Sequence, residues 1–174
     1  CDDHPAAKAS FQIRISTDSP YYALANGELI SRQVRASHTV WLYEQAEPTS
    51  TYLITLQIGE YERHRLQKGP VPMYAVLPDR LRDDFEHDFA RQPQMMKLFT
   101  RRFGPYPLST GYTVVVTDDN LEIPLEAQGL SIFGANHCDG SRSSERLIAH
   151  ELAHQWFGNS VTVRRWRDIW LHEG

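Results

Sequence analysis

The sequence predicts an α+β protein, with antiparallel strands first and helices interleaved with further strands after them. Three observations carry this. Apolar and polar residues alternate in several short runs before residue 60; from Leu81 the apolar spacing changes to every three or four residues; and an apolar segment of helical length near the end contains His150-Glu151-Leu152-Ala153-His154.

Phe11, Ile13 and Ile15 alternate with Gln12, Arg14 and Ser16, the period of a half-buried strand. Asn26-Gly27 marks a tight turn between Tyr21-Leu24 and a run at about Glu28-Val34, so a hairpin is predicted there. Thr39 to Tyr43 forms a further strand, Ala46-Glu47-Pro48 a connection, and Tyr52, Ile54, Leu56 and Ile58 again alternate with Leu53, Thr55 and Gln57. Between Arg63 and Pro70 the strand pattern is interrupted by His64, Arg65, Lys68 and Gly69, which marks a boundary. A strand follows at Val71 to Leu77, and Leu81, Phe85 and Phe89 line one side of an amphipathic helix. Pro93 lacks an N–H and cannot sit inside that helix, so it opens a second one, which carries Met96, Phe99 and Phe103 and stops at Gly104-Pro105. Tyr112 to Thr117 and Leu130 to Phe133 suit buried strands. The last long helix starts at Ser141, Ser143 or Ser144 and is predicted to end near Gly158-Asn159.

With 174 residues the chain is one ordinary domain or two pieces of a larger protein, and a start at Cys1 without a leader reads as an excised segment. No apolar run approaches the ~20 residues of a membrane span. A net charge of -4 without a basic stripe argues against nucleic acid and anionic membranes as partners. Cys1 and Cys138 make no disulfide framework and lean towards a reducing compartment, the cytoplasm.

Two histidines four apart on a helix lie roughly 40° from eclipsed at ~100° per residue, so His150 and His154 can bind one ion. Glu151, one step round, falls beside the open side of that ion, where it acts as general base and acid. Buried histidines can also be satisfied by hydrogen bonds alone. Glu173, at the spacing HExxH-x18-E, favours metal, because a catalytic zinc takes three protein ligands and leaves a position for water. Two imidazoles and a carboxylate suit one zinc ion per chain, and zinc with an adjacent base is the chemistry of peptide hydrolysis. Asp168 is a candidate to orient a ligand histidine through its second ring nitrogen, or equally to cap the next helix.

His150-Glu151-Leu152-Ala153-His154-Gln155-Trp156-Phe157-Gly158-Asn159, with Trp170-Leu171-His172-Glu173-Gly174, resembles the zinc centre of the aminopeptidase N family of gluzincins, which also includes leukotriene hydrolase. Cys1-Asp2-Asp3-His4-Pro5, Lys8-Ala9-Ser10-Phe11, Ser50-Thr51-Tyr52-Leu53 and Phe103-Gly104-Pro105-Tyr106-Pro107 resemble further family stretches in the family's order. The resemblance implies that residues 1–65 end an antiparallel N-terminal β-domain. Residues 66–174 would then begin a thermolysin-like zinc metallopeptidase domain, truncated after the third zinc ligand. It also implies an enzyme that removes N-terminal amino acids, its substrate a peptide with a free N-terminus held by Glu126. In the family that Glu belongs to a Gly-x-Met-Glu-Asn signature, and here Ile123-Pro124-Leu125-Glu126-Ala127 keeps only the Glu. A second departure is His172, where the family has Asn, and its imidazole beside Glu173 could alter metal selectivity.

The family's oxyanion-stabilising tyrosine lies beyond Glu173, so this chain alone is expected to be weak or inactive and to self-associate through uncovered apolar surface. The altered stretch around Glu126 leaves room for a same-clan endopeptidase or epoxide hydrolase. A non-catalytic zinc-containing binding module is the other alternative.

Overall fold

The structure is a computed structural model that describes residues 3–173. Cys1, Asp2 and Gly174, quoted above for the family stretches, lie outside the described residues. The chain runs β1 (Lys8–Asp18), β2 (Tyr22–Ala25), β3 (Glu28–Val34), β4 (His38–Ser50), β5 (Leu56–Gly59), β6 (Glu62–Gln67) and β7 (Met73–Leu77). Then come α1 (Arg82–Asp88), α2 (Gln92–Phe103), β8 (Tyr112–Val116), β9 (Leu125–Ala127), β10 (Leu130–Phe133), α3 (Glu145–Ala153) and α4 (Trp170–Glu173).

These strands form three sheets: β1-β4-β3, the ribbon β2-β5, and a five-stranded sheet in the order β6-β7-β8-β10-β9. The first two are antiparallel. In the third, β7, β8 and β10 are parallel, and antiparallel β6 and β9 close its two edges. Its central strands are buried on both faces, which explains their near-continuous apolar sequences. Met73, Ala75, Leu77, Val114 and Val116 pack against Phe85, Phe89, Met96, Ile148 and Leu152 of the helices. The alternate residues Val76, Val115, Leu130 and Ile132 meet Ile15, Leu24, Trp41 and Tyr43 of the N-terminal strands. One sheet therefore serves two cores.

Four local expectations are corrected. Gly27 turns the chain with φ +89°, but β2 and β3 do not pair; β2 goes to β5 and β3 to β4, so the predicted hairpin is a crossing between sheets. Asn26 causes the parting: its buried amide donates to the carbonyls of Leu53 and Gln128 and accepts from the Thr55 N–H, which draws this point inward. Ala46-Glu47-Pro48 lies within β4, where the register with β1 jumps from Ala9 opposite Thr49 to Phe11 opposite Gln45. Pro48 falls in that irregularity, where the ladder tolerates a missing N–H. The run from Tyr52 is broken by a 3-10 turn at Thr51–Leu53, and Ile54, Leu56 and Ile58 are exposed, because the ribbon is buried through Ala23, Leu24 and Ala25 instead. His64 and Arg65, read as interrupting the strands, belong to β6.

The second helix is bounded as its residues dictate. Pro93 sits in the first turn of α2, and Gly104, at φ +99°, ends it. The histidine-bearing helix stops at Ala153, not at Gly158-Asn159. Beyond it the N–H groups of Asn159, Ser160 and Val161 reach back five residues to His154, Gln155 and Trp156, a wider turn that swings Gln155 and Asn159 off the helix axis. No helix among the described residues is long and apolar enough to cross a membrane.

Candidate metal centre

The centre stands on α3, which lies on the five-stranded sheet. Ile148 and Leu152 anchor its underside, both fully buried. A polar link fixes its height: the Tyr112 hydroxyl donates to Ser131 Oγ at 2.7 Å, and the Ser131 hydroxyl donates to the Glu151 carbonyl at 3.3 Å. Its far end is tied down by the Trp156 indole N–H, shared between the carbonyls of Gly104 and Pro105 at 3.1 Å each.

On the upper side the Nε2 atoms of His150 and His154 approach to 3.0 Å, as the four-residue spacing predicts. Glu173, brought back on α4, places Oε2 3.3 Å from His150 Nε2 and 3.6 Å from His154 Nε2. The three atoms make a nearly regular triangle. Zinc bonds of ~2.1 Å give a tetrahedral edge of about 3.4 Å, so the residues present fit the three protein corners of such a site. Side-chain exposure is 3% at His154 but 40% at His150 and 48% at Glu173, so the cluster is sealed below and open towards the last two.

Glu151 lies in the same cluster, within 4.8 Å of the two histidines. Its carboxylate is buried, and Oε2 has no hydrogen-bond partner among the described residues. Burial first, then the charges of Glu126 and Glu173, push this carboxyl up to about 8, and a bound cation acts in the opposite sense. Glu126 is carried at the middle of β9, an edge strand, opposite Ser131 of β10. Its charge is felt at Glu151, at Tyr52 and at His172. The structure thus gathers His150, Glu151, His154, Glu173 and Glu126 into one neighbourhood.

Asp168 makes no hydrogen bond to either histidine among the described residues; its carboxylate lies 3.9 Å from Arg167 Nε. The orienting partner of His154 is the Phe157 carbonyl, which accepts from Nδ1 at 3.1 Å and leaves Nε2 with its lone pair free. A main-chain group carries no sequence signal, so it could not be read in advance. His172 is likewise engaged: the Val163 N–H donates to its Nε2 at 3.0 Å, and burial, then His154, lower its pKa. The imidazole fastens α4 to the loop after α3.

The N-terminal strands brace that loop from behind. Lys8 Nζ donates to the carbonyls of Asn159 and Ser160, the Tyr52 hydroxyl to that of Gly158, and the Trp166 indole to that of Asp3. Tyr52 also meets Trp166 edge to face, with centroids 5.0 Å apart.

Residues 87–174 match the Peptidase family M1 domain, and residues 1–53 match the Peptidase M1 N-terminal domain. The chain is 29% identical over 185 residues to a leucyl aminopeptidase of Saccharolobus solfataricus, covering 99% of this chain and 23% of that protein. It is 32% identical over 191 residues to endoplasmic reticulum aminopeptidase 1 of Homo sapiens, covering all of this chain and 20% of the relative. Among solved structures it is similar to an M1 zinc metallopeptidase from Deinococcus radiodurans, with a TM-score of 0.84 and 30% identity. A two-domain M1 zinc metallopeptidase with bound L-arginine gives a TM-score of 0.86 at 28% identity. Each comparison covers all of this chain and 40% of the solved one. The chain therefore spans about a fifth of the length of the curated relatives.

Proposed function

This chain belongs to peptidase family M1, and from that premise we propose that the protein removes N-terminal amino acids from peptides by zinc-assisted hydrolysis. The observation that carries the proposal is the triangle of His150 Nε2, His154 Nε2 and Glu173 Oε2, with edges of 3.0, 3.3 and 3.6 Å, beside a buried Glu151 oxygen that lacks a partner. His150, His154 and Glu173 would hold one zinc ion per chain. When bound, the ion supplies a Lewis acid that acidifies water and polarises the scissile carbonyl.

Glu151 takes a proton from the attacking water and passes it to the leaving amine. The Phe157 carbonyl keeps His154 in the tautomer that presents Nε2. Glu126 receives the ammonium group of the substrate, so cleavage falls one residue from the free end. Asp168, which makes no hydrogen bond to either histidine among the described residues, is left without a part in this scheme. Exposed Phe157, Val161, Trp170 and Leu171 beside the site support self-association of the isolated chain. The reading carries a reducing, cytoplasmic setting.

Metal analysis tests the ligand set directly. The chain, reconstituted and dialysed, is expected to retain close to one zinc per molecule, and Glu173→Gln to retain much less at the same free zinc. Equal zinc in the two would remove Glu173 from the site.

A further inference from the structure

Glu126 can hold a substrate amine at the right distance only if β9 is fixed relative to the metal ligands, and β9 is three residues long, paired on one side only. What fixes it comes from the segment that directly follows the ligand helix. Gln155, fully buried and next to His154, accepts from the Gly129 N–H at 2.9 Å and donates to the carbonyls of Ala127 at 3.1 Å and Leu130 at 3.3 Å. Asn159, also fully buried, donates to the same Ala127 carbonyl at 2.9 Å. That carbonyl belongs to the residue after Glu126, and both of its lone pairs are engaged. Gly129 takes φ +79° to make the turn. From the other side Asn26 holds the Gln128 carbonyl at 2.9 Å, so the segment cannot give way outward.

We infer that Gln155 and Asn159 are positioning residues that set the spacing between the amine-binding carboxylate of Glu126 and the metal ligands, and thereby confine cleavage to the first residue. The inference rests on the aminopeptidase reading above. It adds that the spacing is built by side chains of the ligand segment, which touch neither metal nor substrate. The segment that carries on from His154 and the anchor are wired together: four hydrogen bonds run from residues one and five places beyond His154 to the turn that follows Glu126. A local helix support would need no bonds to that turn.

The test uses the zinc-loaded full-length protein and two competitive probes. L-Arginine carries a free ammonium group; acetohydroxamic acid engages the metal without one. Gln155→Met and Asn159→Ser are expected to keep their zinc and their affinity for acetohydroxamic acid while weakening L-arginine and raising KM for aminoacyl substrates by about tenfold to 100-fold, the scale of a misplacement near 1 Å. Glu126→Gln should show the same split. Should Gln155→Met fail to fold, Asn159→Ser, which removes only one of the two bonds to Ala127, reads the same ratio. Parallel loss of both probes, or of zinc, would mean a merely structural role and overturn the inference. So would an unchanged ratio in both variants while Glu126→Gln lowers it. An unchanged ratio in Glu126→Gln would overturn the amine-anchor reading itself.

Discussion

Asp88→Asn should be among the most damaging single changes outside the metal centre. The carboxylate lies at the end of α1, almost wholly buried, and accepts four hydrogen bonds: Oδ2 from the N–H groups of Asp139 and Gly140, Oδ1 from the Arg142 N–H and His87 Nδ1. These bonds hold the loop that leads into α3, including Arg142 in the left-handed region at φ +60°. An asparagine must put its NH₂ somewhere. The cheaper choice is the Oδ1 side, where His87 can switch to acceptor, and the Arg142 N–H is then left facing a donor. One lost bond to a charged acceptor costs roughly 1.5–3 kcal/mol, and the bonds of Asp139 and Gly140 each weaken by about 1 kcal/mol when the acceptor becomes neutral. The expected loss is about 3–5 kcal/mol, a large part of a small domain's stability. Urea denaturation followed by circular dichroism at pH 7 measures it, and a loss below about 1 kcal/mol would refute the reasoning. The pH dependence adds a second check. Burial acts to raise the Asp88 carboxyl, but bonds from His87 and the N–H groups of Arg142, Gly140 and Asp139 outweigh it and hold the pKa below the usual range. A depressed folded pKa contributes stability that is fully present above the unfolded value of ~3.9 and is lost as pH falls through the folded one. The difference between wild type and Asp88→Asn should therefore shrink on acidification below that value.

Two further outcomes are expected. In the full-length protein, Glu151→Gln should keep its zinc and lose about 100-fold to 10,000-fold in turnover, as measured with an aminoacyl anilide, because general acid and base transfer is gone while the ligands remain; a variant that retains wild-type turnover would unseat Glu151. Gly27→Ala should lower stability by about 2 kcal/mol or more in the same urea titration, since a methyl group at φ +89° would both strain the backbone and overlap the Glu44 carbonyl; a midpoint equal to wild type would refute this.

The parts of the fold that the sequence disclosed are those set by local spacing. Leu81, Phe85 and Phe89 are buried as their four-residue interval requires, and Pro93 and Gly104 bound α2 as their backbone chemistry requires. The tight contact of His150 with His154 follows from the helix alone. What escaped reading is decided between distant segments. Asn26-Gly27 has the composition of a hairpin turn, but the Asn26 side chain is spent on Leu53 and Gln128, so its flanking strands part company. The period-two apolar run of Ile54, Leu56 and Ile58 located a strand without revealing which face would be covered. Leu125 to Ala127 is too short to signal a strand, and only pairing with β10 makes it one. One signal was available and unused: Gln155 follows Glu151 by four residues amid Trp156, Phe157 and Leu152. A polar side chain in such company needs a partner.

The contacts made by Lys8, Tyr52 and Trp166 bear on the order in which the molecule is assembled. Lys8 reaches Ser160 across 152 residues of chain, Trp166 reaches Asp3 across 163, and Tyr52 reaches Gly158 across 106. Closures of that span form slowly, because the entropy of a long loop must be overcome before the contact rewards it. During synthesis the N-terminal strands leave the ribosome first and must hold an open seat for a loop that has not yet been made. The loop beside Glu173 depends on these long closures, so the cluster of His150, His154 and Glu173 is expected to be completed among the closing steps of folding rather than in its nucleus.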